Sequence, residues 1–212
     1  MDGEVGAMRL VVMASGRGSN FEAISSAIMK GELNAEIIAL VSDKAGAPAV
    51  SKAAELGIPN VVILERKGFP SRNAYDEALT SLVRGFSPDI VALAGFMRIL
   101  GGCFIEEFAG KIVNIHPALL PSFPGLDAQR QALDYGAKVT GATVHFVDEG
   151  TDTGPVILQK AVPILEKDGL ESLSARILAE EHSLYVKALK LISEGRVRIE
   201  GRKVRIAEEG DV

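Results

Sequence analysis

The sequence has 212 residues, 47% of them apolar and 24% charged, with a formal net charge of −5, so it can build one large core or two small ones. An acidic chain without a dense basic stripe argues against a protein that lives on phosphate-backbone contacts with nucleic acid. No apolar run reaches the roughly 18–20 residues that span a bilayer, and Asp2 and Glu4 stand where a secretory signal needs a basic flank.

Short apolar runs alternate with amphipathic stretches through the first half. Met8–Met13 is expected as a buried strand, followed by Ala14-Ser-Gly-Arg-Gly-Ser-Asn20 and a helix around Phe21–Ile28. Ala35–Ser42 is the next strand and Ala47–Leu56 the next helix. Asn60–Leu64, a helix over Arg72–Gly85, and strands at Asp89–Ala94 and Lys111–Ile115 with a short helix between them continue the pattern. This alternation predicts an α/β fold with a doubly wound, mostly parallel, Rossmann-like sheet in a single domain over residues 1–212. Ligands in such sheets bind beyond the carboxyl ends of the strands, which directs attention to Ser15–Asn20, Gly95–Leu100 and the chain from His116 onward.

The texture then changes. His116-Pro-Ala-Leu-Leu-Pro-Ser-Phe-Pro-Gly125 holds three prolines and fits neither a helix nor a central strand. A short helix from about Ala128, strands at Thr140–Val147 and Pro155–Pro163, and a long helix over Leu170–Ile192 are expected next. The alternating charges of Arg196–Arg205 read as a terminal hairpin with one solvated face rather than as a nucleic-acid site.

Two segments carry chemistry. Ser15-Gly-Arg-Gly-Ser-Asn20 joins a strand to a helix, where glycines let backbone N–H groups approach an anion and suit a phosphate. It matches neither the dinucleotide nor the triphosphate fingerprint, and a simple turn with Ser19 as N-cap is the alternative. Asn114-Ile-His-Pro117 ends a strand, and Asn114 and His116, two apart, share one face. An amide donor beside an imidazole suits a developing oxyanion, and Asp152 in Asp148–Pro155 could fix the imidazole's tautomer and favour its charged form. Equally, His116 could satisfy a loop carbonyl and Asp152 cap a turn. Three histidines and one cysteine without a close ligand pair argue against zinc or another metal. The nucleophile elbow of a serine hydrolase is missing. Cys103 is expected to be a small buried residue rather than a nucleophile, and a lone cysteine fits a reducing, cytoplasmic compartment. His145 falls mid-strand, facing either a pocket or a neighbouring strand.

Val113-Asn-Ile-His-Pro-Ala-Leu-Leu-Pro-Ser-Phe-Pro-Gly125, with Asp152-Thr-Gly-Pro155 after it, resembles the signature of the folate-dependent formyltransferases. Ala14–Ile24, Val41–Ala47 and Leu93–Leu100 resemble the branch of that family whose substrate is glycinamide ribonucleotide, in purine synthesis. The resemblance implies direct attack of the substrate amine on the formyl carbon of the co-substrate 10-formyltetrahydrofolate. Asn114 and His116 would stabilise the oxyanion, His116 would act as general acid, and Asp152 would support its protonated form. Gly18, Ser19, Asn20 and Glu181 match ribonucleotide contacts. Arg72, Met97, Arg98, Ile99, Leu100, Ile105, Asn114 and Val147 match the folate site, where backbone groups at 97–100 meet the pterin ring edge. The N-terminal half would hold the ribonucleotide phosphate, and the C-terminal half the folate and the chemistry. The resemblance also raises a homodimer as the oligomeric expectation, and ordering of residues 110–125 and 140–154 on folate binding. Leu126–Arg130 departs from the histidines of some members, and Arg17 stands in place of a frequent Asn.

Three other functions compete. Formylation of initiator methionyl-tRNA shares the Asn-x-His-Pro chemistry but needs a further basic domain, which this acidic sequence is expected to lack. Hydrolysis of formyltetrahydrofolate shares the site but usually accompanies an added N-terminal regulatory domain, and seven residues precede the first strand here. A catalytically silent binder would not need Asn114, His116 and Asp152 together.

Overall fold

The computed structural model describes residues 6–208. The reading of the first residues as lacking a leader falls, for residues 1–5, outside them. The chain divides into two compact units, Met1–Glu107 and Phe108–Val212.

In the first unit, strands β1 (Met8–Met13), β2 (Ala35–Ser42), β3 (Val61–Ile63) and β4 (Ile90–Leu93) alternate with helices α1 (Ser19–Met29), α2 (Pro48–Glu55) and α3 (Arg72–Gly85), and α4 (Gly102–Glu107) follows. A 3-10 turn at Arg66–Gly68, absent from the sequence pattern, precedes α3. The strand pairs β1–β2, β1–β4 and β2–β3 are all parallel, in the order β3-β2-β1-β4. The chain therefore winds outward from β1 to β3 and returns across α3 to the other side of β1. This reversal is a topological switch point, and it opens a crevice at the carboxyl ends of β1 and β4. Leu10–Ala14 and Val91–Ala92 have no exposed surface, as a strand covered on both faces requires. Helix α3 buries Tyr75, Leu79 and Val83 at four-residue spacing, and Ser71 caps it by accepting from the Ala74 amide at 3.1 Å.

The second unit holds β5 (Ile112–His116), α5 (Ala128–Tyr135), β6 (Val139–Phe146), β7 (Val156–Pro163), α6 (Leu170–Ser193) and the hairpin β8 (Val197–Glu200) and β9 (Lys203–Ile206). Here β5–β6 and β6–β7 are antiparallel. Helix α6 buries Leu173, Ile177, Leu184, Tyr185, Ala188 and Leu189. The Tyr185 hydroxyl donates to the Val113 carbonyl at 2.9 Å, which anchors α6 to β5. The expected α/β alternation, the order of elements and the terminal hairpin all stand.

Strand β6 tolerates no side chain at Gly141, where a Cβ would collide with the Lys160 carbonyl oxygen of β7 and with the Leu119 side chain. Gly141→Ala should therefore lower the unfolding free energy by about 1–3 kcal/mol, read as a reduced urea midpoint at constant m-value. An unchanged midpoint would mean that the two strands separate at no cost.

Candidate active site

The antiparallel register of β5 and β6 sets Asn114 opposite His145 and His116 opposite Thr143. Directly opposed residues put their side chains on the same face within contact range, and all four groups are used. The Asn114 side-chain nitrogen lies 3.2 Å from His145 Nε2, and His145 Nδ1 lies 2.8 Å from the Phe146 carbonyl oxygen. A carbonyl only accepts, so Nδ1 carries the proton, and Nε2 accepts from the Asn114 amide. His145 thus fixes the plane of the Asn114 amide.

His116 is held differently. Its Nδ1 is 3.3 Å from Asp152 Oδ2, and its Nε2 is 2.8 Å from the Phe123 carbonyl oxygen. Each ring nitrogen faces an acceptor, and only a doubly protonated ring satisfies both. Asp152 also receives the Gly125 amide on Oδ2 at 2.7 Å, and its Oδ1 lies 3.7 Å from His145 Nε2. One carboxylate therefore sits between two imidazoles, with side-chain exposures of 13% for Asp152, 5% for His116 and 1% for His145. At that burial the charge of Asp152 is weakly screened, and it faces His116 Nδ1 directly.

Side chains from β6 and β7 hold the segment between His116 and Phe123. Thr143 Oγ1 donates to the Ala118 carbonyl at 2.7 Å and accepts from the Leu120 amide at 3.1 Å. Gln159 donates to the Leu120 carbonyl at 2.8 Å. Three prolines remove backbone donors from this loop, so these contacts replace the ladder that it cannot form. The Asp152 turn is braced by Asp148, which accepts from Thr153 Oγ1 at 2.6 Å and from the Gly150 amide at 3.1 Å. Both Phe123 and Asp152 have φ of 54°, a left-handed conformation costing on the order of 1 kcal/mol. Such strain concentrates where a carbonyl or carboxylate must point in one direction.

In the first unit, Ser15 closes the switch-point crevice. Its amide donates to the Gly95 carbonyl at 3.0 Å, and its hydroxyl accepts from the Met97 amide at 2.9 Å. Gly18, with φ of 74°, is the residue that caps α1, and a Cβ there would lie 2.8 Å from the Ala49 Cβ. The expected alternative of Ser19 as N-cap is corrected: Ser19 is the first helical residue, because only glycine takes the left-handed geometry this close to α2. Beyond β4, Met97 and Ile99 are 61% and 71% exposed while Leu100 is 7% exposed. Arg72 Nη2 donates to the Ile99 carbonyl at 3.2 Å.

The structure thus gathers Asn114, His116 and Asp152 in one cluster of the second unit. It gathers Gly18, Ser19 and Asn20 at the start of α1, and Arg72, Met97, Arg98, Ile99 and Leu100 around one loop of the first unit. Ile105 lies on α4, Val147 just past β6, and Glu181 is buried on α6. Residue spacing left open whether His145 faces a pocket and did not reveal that Thr143 and Gln159 join the cluster, since all three depend on strand register. Cys103 corrects another expectation: it is exposed, with its sulfur 3.5 Å from Thr80 Oγ1, because the residue that the short helix α4 buries is Phe104. Among the described residues no group of three His, Cys, Asp or Glu is placed to hold a metal, and no helix is long and apolar enough to cross a membrane.

Burial lowers the His145 imidazole below its usual 6.5, against the raising effects of the Phe146 carbonyl and Asp152. The unfolded chain therefore binds a proton near pH 6.5 that the folded chain refuses. This contribution to stability is complete above that pH and is lost as pH falls toward the depressed value. From about pH 7 to about pH 5, urea unfolding should show a slope that His145→Gln reduces, by at most about 1.4 kcal/mol per pH unit. Identical slopes for the two proteins would refute it.

Comparison with known proteins places this geometry. The formyl transferase family profile matches residues 8–189. The trifunctional purine biosynthetic protein adenosine-3 of Drosophila pseudoobscura pseudoobscura is 47% identical over 192 residues, 90% of this chain. The chain spans only 14% of that relative's length. The phosphoribosylglycinamide formyltransferase of Bacillus subtilis strain 168 is 43% identical over 182 residues, covering 86% of this chain and 93% of that protein. The crystal structure of glycinamide ribonucleotide transformylase 1 from Symbiobacterium toebii superposes with a TM-score of 0.92 at 46% identity, covering 95% of each chain. With matches of this extent, the chain belongs to the formyl transferase family.

Proposed function

We propose that the protein transfers the formyl group of 10-formyltetrahydrofolate to the amine of N1-(5-phosphoribosyl)glycinamide, a step of purine biosynthesis. The observation that carries this reading is the Asp152–His116 pair beside an Asn114 amide whose plane is fixed by His145. The amine nitrogen attacks the formyl carbon, the carbonyl electrons move onto oxygen, the amine gives up one proton, and collapse expels the folate nitrogen, which takes up one proton. Asn114 keeps one side-chain N–H on His145 and offers the other to the oxyanion. His116 supplies the second donor from Nε2, which must exchange the Phe123 carbonyl for the substrate oxygen. Asp152, on the opposite side of that ring, keeps it charged until the proton is handed on.

The glycine turn at Gly18, Ser19 and Asn20 would receive the ribonucleotide phosphate through N–H groups at the start of α1, with Glu181 serving the ribose. Exposed Met97 and Ile99, Arg98 and the backbone through Leu100, with Arg72 behind them, suit a flat heterocycle that needs apolar faces and a polar edge; Ile105, Asn114 and Val147 are assigned to folate by the family resemblance alone. The N-terminal half would thus hold the phosphate, and the C-terminal half would carry the chemistry and the remaining folate contacts. A cytoplasmic location rests on the lone cysteine, and a homodimer on the family resemblance alone.

The deciding assay mixes the protein with both substrates and follows tetrahydrofolate release by absorbance. Release should require the ribonucleotide, and His116→Ala should lower turnover roughly 100–1000-fold with the fold intact. Release without ribonucleotide would identify a hydrolase, and no release would leave a binding protein. Asp152→Asn should lower kcat by about 100-fold with the fold intact, because the carboxylate that meets His116 Nδ1 at 3.3 Å is gone. A kcat unmoved by that substitution would remove Asp152 from the proton path.

A further inference from the structure

We propose that Asp43, a residue with no part in the chemistry above, is a positioning residue for folate, acting through Arg98 on the loop at Met97–Leu100. The inference rests on that loop being the folate-binding loop of the proposed function. Asp43 lies one residue beyond β2, at the carboxyl end of the parallel sheet, and its side chain is 2% exposed. A carboxylate at that depth is retained only with a charge partner. Its partner is Arg98, whose Nε donates to Oδ2 at 2.7 Å. Asp43 Oδ1 is buried and makes no hydrogen bond, so the carboxylate is committed to this one link.

The guanidinium is fixed on its other side as well. It lies 5.4 Å from the centroid of the Tyr75 ring, a cation–π distance. Tyr75 is 2% exposed and is held edge-on by Phe69, with ring centroids 5.4 Å apart. The neighbouring residues are pinned independently: the Met97 amide by Ser15, and the Ile99 carbonyl by Arg72, which pairs with Asp76 at 3.5 Å. Three successive residues are therefore restrained by three different elements, while the Met97 and Ile99 side chains stay exposed. That combination costs conformational freedom and buries little apolar surface, so it does not serve the core. It serves a ligand that reads backbone polar groups at fixed positions. Of the three restraints, Asp43–Arg98 is the one with a fully buried anion, and it holds the side chain in the middle of the loop.

The test is calorimetric titration of the whole chain with tetrahydrofolate and, separately, with glycinamide ribonucleotide. Asp43→Asn keeps the shape and removes the charge. Arg98→Lys keeps the charge and removes the planar fork that bridges Asp43 and Tyr75. Each should weaken tetrahydrofolate binding by about tenfold, leave ribonucleotide affinity within about twofold, and not add in the double variant. Tetrahydrofolate affinity equal to the parent's in both variants would overturn the inference while leaving the function standing. Equal weakening of both ligands with a lowered Tm would overturn it too, by making Asp43 a structural residue. A parent protein that binds no tetrahydrofolate would instead remove the folate reading itself, and the inference with it.

Discussion

A single carboxylate organises the second unit. Asp152 lies between the His116 and His145 imidazoles and also receives the Gly125 amide. A buried carboxylate is retained only when it is paired or hydrogen-bonded. Meeting that demand aligns the Asp148–Pro155 turn, the end of the proline-rich loop, and two strands at once. The left-handed conformations of Asp152 and Phe123 are local strain that the surrounding hydrogen bonds outweigh.

The two histidines show how environment separates identical side chains. His145 is enclosed in β6, donates to a carbonyl and accepts from an amide, so burial favours its neutral form. His116 faces a carboxylate on one nitrogen and a carbonyl on the other, so both of its nitrogens meet acceptors. A neutral ring that orients Asn114 beside a ring whose two nitrogens both face acceptors is a division of labour suited to an oxyanion. It arises from which groups the backbone presents, not from any difference in intrinsic chemistry.

The first unit solves a different problem. Parallel strands wound to both sides of β1 open a crevice at β1 and β4, and Ser15 bridges it to Met97. The exposed loop beyond β4 then gains its order from charged partners, Arg98 with Asp43 and Arg72 with Asp76, instead of from apolar burial. An ordered backbone with exposed apolar side chains is a binding surface by construction, because the ordering cost is met before a ligand arrives.

By itself the sequence determined the order and type of the elements, because strand and helix periodicities are local and buried parallel strands read as unbroken apolar runs. Arg72–Gly85 and Ala35–Ser42 coincide with their helix and strand. The signature around Asn114 and His116 was equally legible, since two residues on one strand share a face whatever that strand pairs with. Tertiary structure alone decided the partners. His145 reaches Asn114 only through the β5–β6 register, and a shift of one residue would turn it to the opposite face. Asp43 reaches Arg98 across 55 residues of chain, and Cys103 became exposed through the orientation of a six-residue helix. The same holds for Gly18, whose role as cap follows from the proximity of Ala49 on α2. Such pairings depend on how distant segments meet in space, and the local periodicity of the chain carries no record of that.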